Sequence, residues 1–471
     1  MTVNRGVDGG ALRRRLFGAG AVVALSMGMS VGAVPAGAET LTQALSLAYT
    51  NNPRLLAQRA AQRATDEQFP QALSGHRPNV SIILEAGKSG TRTRAGALRT
   101  GANTSPRSGT ITYQQPIFRG LRTLYDTRRA RATIMQGRAD LTTVEQDILF
   151  QTVTAFMNVV RDQAVLRLNV NNEQVLRRQL RATRDRFQVG EVTRTDVSQA
   201  QARLSQATAT RTQSEGTLQI SRANYRRIVG RAPGVLKKPS RIVSLPNSLQ
   251  SVTSVAGTES PTVVAARFAE LAARHTIQLI RGELYPSVNL NVSGRRSAGG
   301  TGGTRGDSGS ITGQLVIPLY QAGLTSSRIR QAKQIALQRH QDIIEARRGA
   351  IEAATQAWHG LKTAQAQIRA FQSAARANTI ALDGVRQEAA AGLRTVLDVL
   401  DAEQELFDAR VNLVRAERDE FVAAYQVYQA MGRLTAINLK LPVPKYDPTV
   451  YYRRVKYLPW GPAPSGSYYT K

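Results

Sequence analysis

The stretch "GLRTVLDVLDAEQEL" at 392–406 is nearly repeated by "GEVTRTDVSQAQARL" at 190–204, and this repetition decides the fold. Each stretch begins with a glycine, has a threonine three residues later and an aspartate three residues after that. The offset between them is 202 residues (392 − 190). The same offset separates two further pairs of residues: Pro116 and Pro318, and Gly230 and Gly432. A constant offset at separated points predicts two copies of one structural unit.

The two copies are predicted to occupy about 39–231 and 262–440. The segment between them, 232–261, is rich in proline and serine and is predicted to be a linker. The last residues, 441–471, are rich in proline and tyrosine and are predicted to be extended or disordered.

The first residues, 1–38, have the pattern of a secretory signal peptide. Three arginines at 13–15 precede an apolar stretch, and Ala36, Gly37 and Ala38 form a small-residue cleavage site. An uncleaved membrane anchor is the alternative interpretation of the same pattern. We therefore expect an exported chain, in which no later window is apolar enough for a spanning helix.

Composition excludes several classes of function. The 471 residues include no cysteine and four dispersed histidines, so the sequence predicts no disulfide, no metal site and no cofactor. The formal net charge is +30, which is compatible with nucleic-acid binding. The basic residues are spread along predicted helices without a clustered basic and aromatic pattern. We therefore expect a solvated basic surface near anionic lipid headgroups and no nucleic-acid partner.

Each copy is predicted to contain one β-hairpin, at about 79–118 and about 287–319. In the second copy Val288, Leu290 and Val292 alternate with polar residues, which is typical of a strand with one apolar face. Loops rich in Gly, Ser and Thr join the two strands of each predicted pair.

After each hairpin the pattern changes to that of a long helix. No proline occurs between Gly120 and Gln188 or between Gly323 and Ala391, and each run would make a helix of about 100 Å. A glycine ends each run, and a second helix is predicted to return over 193–229 and 395–431. In the first copy Leu149, Val153 and Phe156 lie beside a second apolar stripe. Two narrow stripes predict a helix with a neighbour on each side.

Two hairpins give four strands per chain, with lengths suited to crossing a bilayer. An open sheet edge is not tolerated in lipid. Either the sheet lies outside a membrane, or several chains close one barrel together; three chains would give twelve strands. The sequence pattern by itself leaves that number open.

Three segments resemble the TolC family of outer-membrane efflux proteins: "PIFRG" at 116–120, "PLYQAG" at 318–323 and "AGLRTVLDVLDAEQEL" at 391–406. The resemblance implies a mainly α fold with a small β part, in a homotrimer with a shared twelve-stranded barrel in the outer membrane of a Gram-negative bacterium. It also implies an α-helical tunnel across the periplasm. The expected partners are a periplasmic adaptor, an inner-membrane pump of the RND or ABC type and outer-membrane lipid. The expected function is passive export of drugs, toxic molecules or polypeptides, without catalysis.

The paired acids Asp398 and Asp401 have three interpretations. Paired carboxylates can hydrolyse glycosides, but a repeat of long helices offers no cleft for a sugar. Thr395 and Asp398 form a capping box, as do Thr193 and Asp196 in the first copy. Capping does not explain Asp401, where the first copy has Gln199. Residues three apart share a helix face, so Asp398 and Asp401 can point to one side together.

The resemblance implies roles for specific residues at the hairpin ends. Asp398 and Asp401 correspond to the family's periplasmic constriction, and Arg394 to an arginine that holds it closed through positions matching Thr195 and Asp196. The family's tyrosine near the turn is replaced here by Ala389. The turn residues that are expected to contact the adaptor are Gly190, Thr193, Gly392 and Thr395. Pro116 and Pro318 are expected to mark the strand-to-helix junctions.

Two alternatives from other classes remain open from the sequence. A periplasmic coiled-coil scaffold without a pore would use the same helical hairpins to pack on soluble partners. A polysaccharide-binding exported protein would need clustered surface aromatics, and only 6% of the residues are aromatic.

Overall fold

A computed structural model describes residues 39–239, 244–300 and 303–461 of the chain. The predicted signal peptide, 1–38, and the last ten residues of the predicted tail lie outside these ranges. Within them the chain is mainly helical, with one small sheet and a short separate ribbon.

The first copy contains three short helices, four strands and two long helices. Their bounds are α1 Leu41–Asn51, α2 Pro53–Asp66, α3 Gln68–Leu73, β1 Asn79–Ala86, β2 Ser89–Ala95, β3 Leu98–Thr104, β4 Arg107–Arg119, α4 Arg122–Gln188 and α5 Arg194–Val229.

The second copy has two helices and two strands before its two long helices, and one short helix follows them. Its elements are α6 Leu249–Glu259, α7 Pro261–Arg281, β5 Ser287–Ala298, β6 Arg305–Val316, α8 Leu324–Ala390, α9 Val396–Ala430 and α10 Thr449–Val455. The first long helix of each copy, α4 or α8, has 67 residues. The returning helices α5 and α9 have 36 and 35 residues. The predicted bounds of the two helical hairpins were about 120–230 and about 323–431.

Three predicted segments differ from the structure. The first predicted helix is interrupted at Asn52, whose side chain caps α2, and again at Glu67. The predicted linker contains helix α6, which begins after the N-cap Ser248 and packs on α8. The loop between the first two predicted strands is a β-ribbon, β2 paired with β3. Strand-like pairing in that loop was missed because its Gly, Thr and Arg residues show no apolar alternation.

The predicted tail is folded up to residue 461 and packs on the first helices of the chain. The backbone N–H of Tyr446 donates to the Tyr49 hydroxyl at 3.0 Å, and the Tyr451 hydroxyl donates to Glu67 at 2.6 Å. Val455 in α10 is fully buried. The prediction of an extended or disordered tail was wrong for this part, because its aromatic side chains find partners some 400 residues away in sequence.

The two predicted hairpins join into one antiparallel sheet with the strand order β1-β4-β5-β6. Successive side chains alternate between the two faces of a strand, and the register aligns the apolar positions of all four strands on one face. That face carries these residues: Val80, Ile82, Leu84, Ile111, Tyr113, Val288, Leu290, Val292, Ile311 and Leu315. The other face is mostly Ser, Thr, Asn and Gln. The apolar face is exposed in the single chain, with Leu84 80% exposed and Ile311 75% exposed.

A tight glycine contact holds the strand-to-helix junction of the first copy, after β4, against the helix-to-strand junction of the second copy, between α7 and β5. Gly120 has φ +62°, and a Cβ there would lie 2.2 Å from the carbonyl oxygen of Gly282. Strand β4 continues three residues past Pro116, with a register shift between Pro116 and Phe118. Pro116 therefore marks an irregularity within the strand, whereas Pro318 lies two residues beyond the end of β6, in the junction itself.

The core lies at the middle of the long helices, far from their turns. Both predicted stripes of α4 are buried: Ile148, Leu149, Thr152, Val153, Ala155, Phe156 and Val159. They pack against α1, the end of α5 and α9, which are the neighbours on each side that the pattern predicted. In the described part of the chain, no helix combines the length and the apolarity needed to cross a membrane.

Candidate functional site

The two helical hairpins end in turns of the same geometry. Gly190 and Gly392 have φ +80° and +75°, a region that glycine enters without strain. The residue after each glycine donates its backbone N–H to a carbonyl five residues back, at 3.0 Å from Glu191 to Arg186 and 2.9 Å from Leu393 to Glu388. These bonds satisfy carbonyls that the helix ends leave free. Each glycine therefore lets a long helix end and reverse within a few residues.

A complete capping box opens the returning helix of each copy, as the sequence predicted. The backbone N–H of Thr193 donates to Asp196 at 2.8 Å, and that of Thr395 donates to Asp398 at 2.9 Å. In return, the Asp196 and Asp398 N–H groups donate to the threonine hydroxyls at 3.3 and 3.2 Å. The second-copy box lowers the pKa of Asp398, chiefly through the Thr395 backbone hydrogen bond. Asp398 is thus a helix cap that carries a full negative charge.

Asp401 has a different partner, which the sequence analysis missed. Its Oδ1 accepts a hydrogen bond from Arg203 Nη2 at 2.6 Å, and the two side chains are 51% and 40% exposed. Arg203 lies on α5, so the ion pair joins the first copy to the second. Comparison of the two copies does not identify this ion pair, because the residue equivalent to Arg203 in the second copy is Glu405.

A small apolar cluster lies beside this ion pair. Leu400 on α9 is only 1% exposed. It belongs to a cluster whose other buried members are on the first hairpin: Leu176, Leu180, Ala200 and Ala207. The start of α9 is therefore packed on α5 and α4 near the turns, and the ends of the two hairpins are in contact within one chain.

Within the single chain, Arg394 is paired with a residue of its own hairpin. Its Nε donates to the Glu388 carboxylate at 2.8 Å, within the same hairpin. That hydrogen bond, together with the charges of Glu388 and Asp398, raises the pKa of Arg394. Thr195 is exposed, and the Asp196 carboxylate is used by the first-copy cap. Within the chain, the structure brings Arg394 to Glu388 and keeps Thr195 and Asp196 on the other turn.

Above the turns, α4, α5 and α9 enclose a polar groove of about 640 Å³ that includes Arg203. The buried Asp162 carboxylate accepts from the Ser221 hydroxyl at 2.5 Å and from Arg161 at 2.7 Å. Glu173, also buried, is paired with Arg177 and Arg211. The first hairpin is therefore held together by polar groups that satisfy one another as well as by apolar packing.

Comparison with known sequences identifies one family. The sequence model of the outer membrane efflux protein family matches residues 44–231 and 252–433. The outer membrane efflux protein BepC of Brucella suis biovar 1 is 35% identical over 424 residues, covering 89% of this chain and 91% of that protein. The outer membrane protein TolC of Escherichia coli K12 is 24% identical over 424 residues, covering 85% of this chain and 84% of that protein.

Comparison with solved structures gives the same fold. The outer membrane channel CmeC of Campylobacter jejuni superimposes with a TM-score of 0.74 at 15% sequence identity. The alignment covers 85% of this chain and 88% of that one. The mainly helical, twice-repeated architecture is therefore shared with outer-membrane channels.

Proposed function

The chain belongs to the outer membrane efflux protein family, and we propose that it works as a trimeric conduit that is closed at its hairpin turns. The family and its member BepC are both named for efflux at the outer membrane. The assembly and the closing residues are our proposal. The observation that carries it is the four-stranded sheet with one exposed apolar face.

The sheet has two features that a single chain leaves unsatisfied. Its apolar face, with Ile82 67% exposed and Leu315 60% exposed, would be stabilised by lipid. Strands β1 and β6 lie at the edges of the sheet, and backbone groups at an edge need partners inside a bilayer. Three copies placed edge to edge would form a closed barrel of twelve strands with the apolar face outward. The polar Ser, Thr, Asn and Gln face would then line the pore.

The helical hairpins continue from this sheet and would form a tunnel in the periplasm. Helices α4 and α8 each have 67 residues, or about 100 Å at ~1.5 Å per residue. Six hairpins from three chains would make a tube whose far end is formed by the turns. The surface of that end includes the capped turns at Gly190, Thr193, Gly392 and Thr395, which we propose as the contact for a periplasmic adaptor.

We propose that Asp398 and Asp401 lie at the narrowest part of the tube. In a trimer each would occur three times, and together they would favour cations in the resting pore. Because Arg394 is paired with Glu388 in its own hairpin, its contact with Thr195 and Asp196 would have to form between neighbouring chains. The adaptor and an inner-membrane pump would bind the separated turns more tightly and shift the population toward the open state. The pump would supply the energy, and we expect no catalysis by this chain.

The test is to purify the protein from outer membranes and measure single-channel conductance in planar bilayers. We expect an SDS-resistant trimer that forms cation-selective pores of low conductance. The D398A/D401A variant should form the same trimer with weaker cation selectivity. A folded monomer extracted into buffer without detergent would instead support a periplasmic scaffold, and unchanged selectivity in the double variant would contradict the acidic constriction.

A further inference from the structure

We propose that Arg203 is a positioning and selectivity-determining residue, which holds α9 against α5 and cancels the charge of Asp401 while the pore is closed. This inference rests on the proposed function and makes it more specific. With this ion pair, the expected constriction has one position with an unpaired carboxylate, Asp398, where two were expected. The second position, Asp401, is neutralised by Arg203.

The contact between Arg203 and Asp401 has the geometry of an ion pair that joins the two copies. Arg203 Nη2 lies 2.6 Å from Asp401 Oδ1, a distance typical of a charge-assisted hydrogen bond. The two residues are 198 positions apart and belong to different copies of the repeat. A movement that carries the second hairpin away from the first must break this bond, since one partner lies on each hairpin.

The ion pair between Arg203 and Asp401 lies where the two hairpins pack together. Leu400, adjacent to Asp401, is buried against Ala200 and Ala207 of α5. Burial of Leu400 holds α9 near α5 and limits the freedom of the Asp401 side chain. Less conformational entropy is lost when the ion pair forms at such a site than at an isolated surface position.

The charged residues near Asp401 are paired in a different way from Asp401 itself. Glu403, two residues beyond Asp401, is paired with Arg386 of α8, and Arg394 is paired with Glu388. Both of these pairs stay within the second hairpin. Asp398 accepts hydrogen bonds from Thr395, a neutral residue, and the nearby Arg394 is itself paired with Glu388. Among these acids, Asp401 is the one whose partner comes from the first hairpin.

The test uses four variants of the full chain in planar bilayers. R203Q leaves the Asp401 charge unpaired and removes the ion pair between the hairpins. R203Q/D401N removes both charges and the ion pair. R203D/D401R exchanges the two charges and can form the ion pair again. The matched control is R386Q, which removes the arginine paired with Glu403, two residues beyond Asp401, and so breaks a pair within one hairpin. Recovery of SDS-resistant trimer from outer membranes establishes assembly for each variant.

We expect R203Q to raise both the resting open probability, by about two- to fivefold, and the cation selectivity. R203Q/D401N should keep the raised open probability and return the reversal potential to that of the parent. R203D/D401R should return both quantities to the parent values. If Arg203 acted only in packing, R203Q would keep the reversal potential of the parent. There would then be no shift for R203Q/D401N to reverse.

The proposal is overturned if R203Q matches the parent in both quantities, or if R386Q changes the open probability as much as R203Q. If R203Q fails to assemble, R203D/D401R carries the test, and parental behaviour is the expected result. A parent protein that forms no pore would overturn the proposed function and this inference together. An active parent that is insensitive to R203Q would overturn only the role of Arg203.

Discussion

The turns of the two hairpins have the same backbone conformation, but the charged side chains around them are of opposite sign. Both have a glycine at positive φ and a threonine–aspartate capping box. Both returning helices begin four residues after the glycine. The charged side chains around them differ. The end of α4 is basic, with Arg177, Arg178, Arg181, Arg184 and Arg186, whereas the start of α9 is acidic, with Asp398, Asp401, Glu403, Glu405 and Asp408.

This difference shows which parts of a duplicated unit are restrained by local geometry. The turn glycine and the cap satisfy backbone groups of their own hairpin, so both copies need them. The charges do not serve the turn and can diverge. Their divergence lets the first hairpin attract the second, as the Arg203–Asp401 ion pair does.

The largest expected effect on the turns is from substitution of their glycines. G190A and G392A should each destabilise the local turn by about 1–2 kcal/mol, because alanine is strained at positive φ. Native-state hydrogen exchange at the two turns measures this. G349A in the middle of α8 is the control, since alanine there should stabilise the helix by about 0.5–1 kcal/mol. Unequal effects at the two turns would contradict their equivalence.

The next effect is loss of the threonine caps. T193A and T395A should each cost about 1 kcal/mol of local stability, because the first-turn amide of the helix loses its acceptor. The readout is amide exchange in the first turns of α5 and α9. T212A, an exposed position inside α5, should leave those amides unchanged. A loss confined to one helix would show that the other capping box is not a stabilising contact in solution.

The acidity of the second-copy cap gives a pH prediction. The pKa of Asp398 is lowered in the folded protein, so its capping contribution is present above the ordinary carboxylate pKa of about 4. The contribution should be lost as the pH falls through the lowered pKa. Amide exchange in the first turn of α9 should therefore accelerate only below about pH 4, and D398N should remove that step.

Helix α1 provides an internal control for this titration. Its N-terminus has the same box built from Thr40 and the neutral Gln43. The first turn of α1 should show no step in amide exchange over the same range. An equal acceleration in α1 would mean that the acid effect is global unfolding and has nothing to do with Asp398.

The smallest change at the turns is expected from the Arg394–Glu388 pair. Both partners are about half exposed, and solvent screens such a pair, so E388Q should alter neither local exchange nor the resting conductance. R394Q removes the same pair and also the proposed contact between chains, and should make the resting pore leakier. Equal conductance of E388Q and R394Q would remove the proposed role of Arg394.

The residues that were predicted well act through their nearest neighbours in the chain. Val288, Leu290 and Val292 alternate, and they form one face of β5 as expected. Leu149, Val153 and Phe156 repeat at helical spacing, and they are buried in α4. The segments predicted poorly depend on distant partners. Helix α6 is stabilised by packing on α8, and α10 by packing near α2. These contacts with distant helices cannot be seen in the sequences of α6 and α10 themselves.

At the candidate site the same division holds. The capping boxes of Asp196 and Asp398 could be identified from spacing alone, because both partners lie within one helical turn. The partner of Asp401 could not, since Arg203 has no counterpart in the second copy and lies 198 residues away. The expected contact from Arg394 to Thr195 and Asp196 came from family resemblance, and within one chain Arg394 pairs with Glu388 instead.

The sequence by itself determined the duplication, the strand alternation, the lengths of the helices and the chemistry of both turns, because each depends on hydrogen bonds and periodicities that span a few residues. Only the tertiary structure decided that β4 pairs with β5, that the tail folds onto α1 and α2, and that Arg203 meets Asp401. These contacts depend on how the two copies pack together. That packing is set by surfaces hundreds of residues apart, and no local pattern contains it.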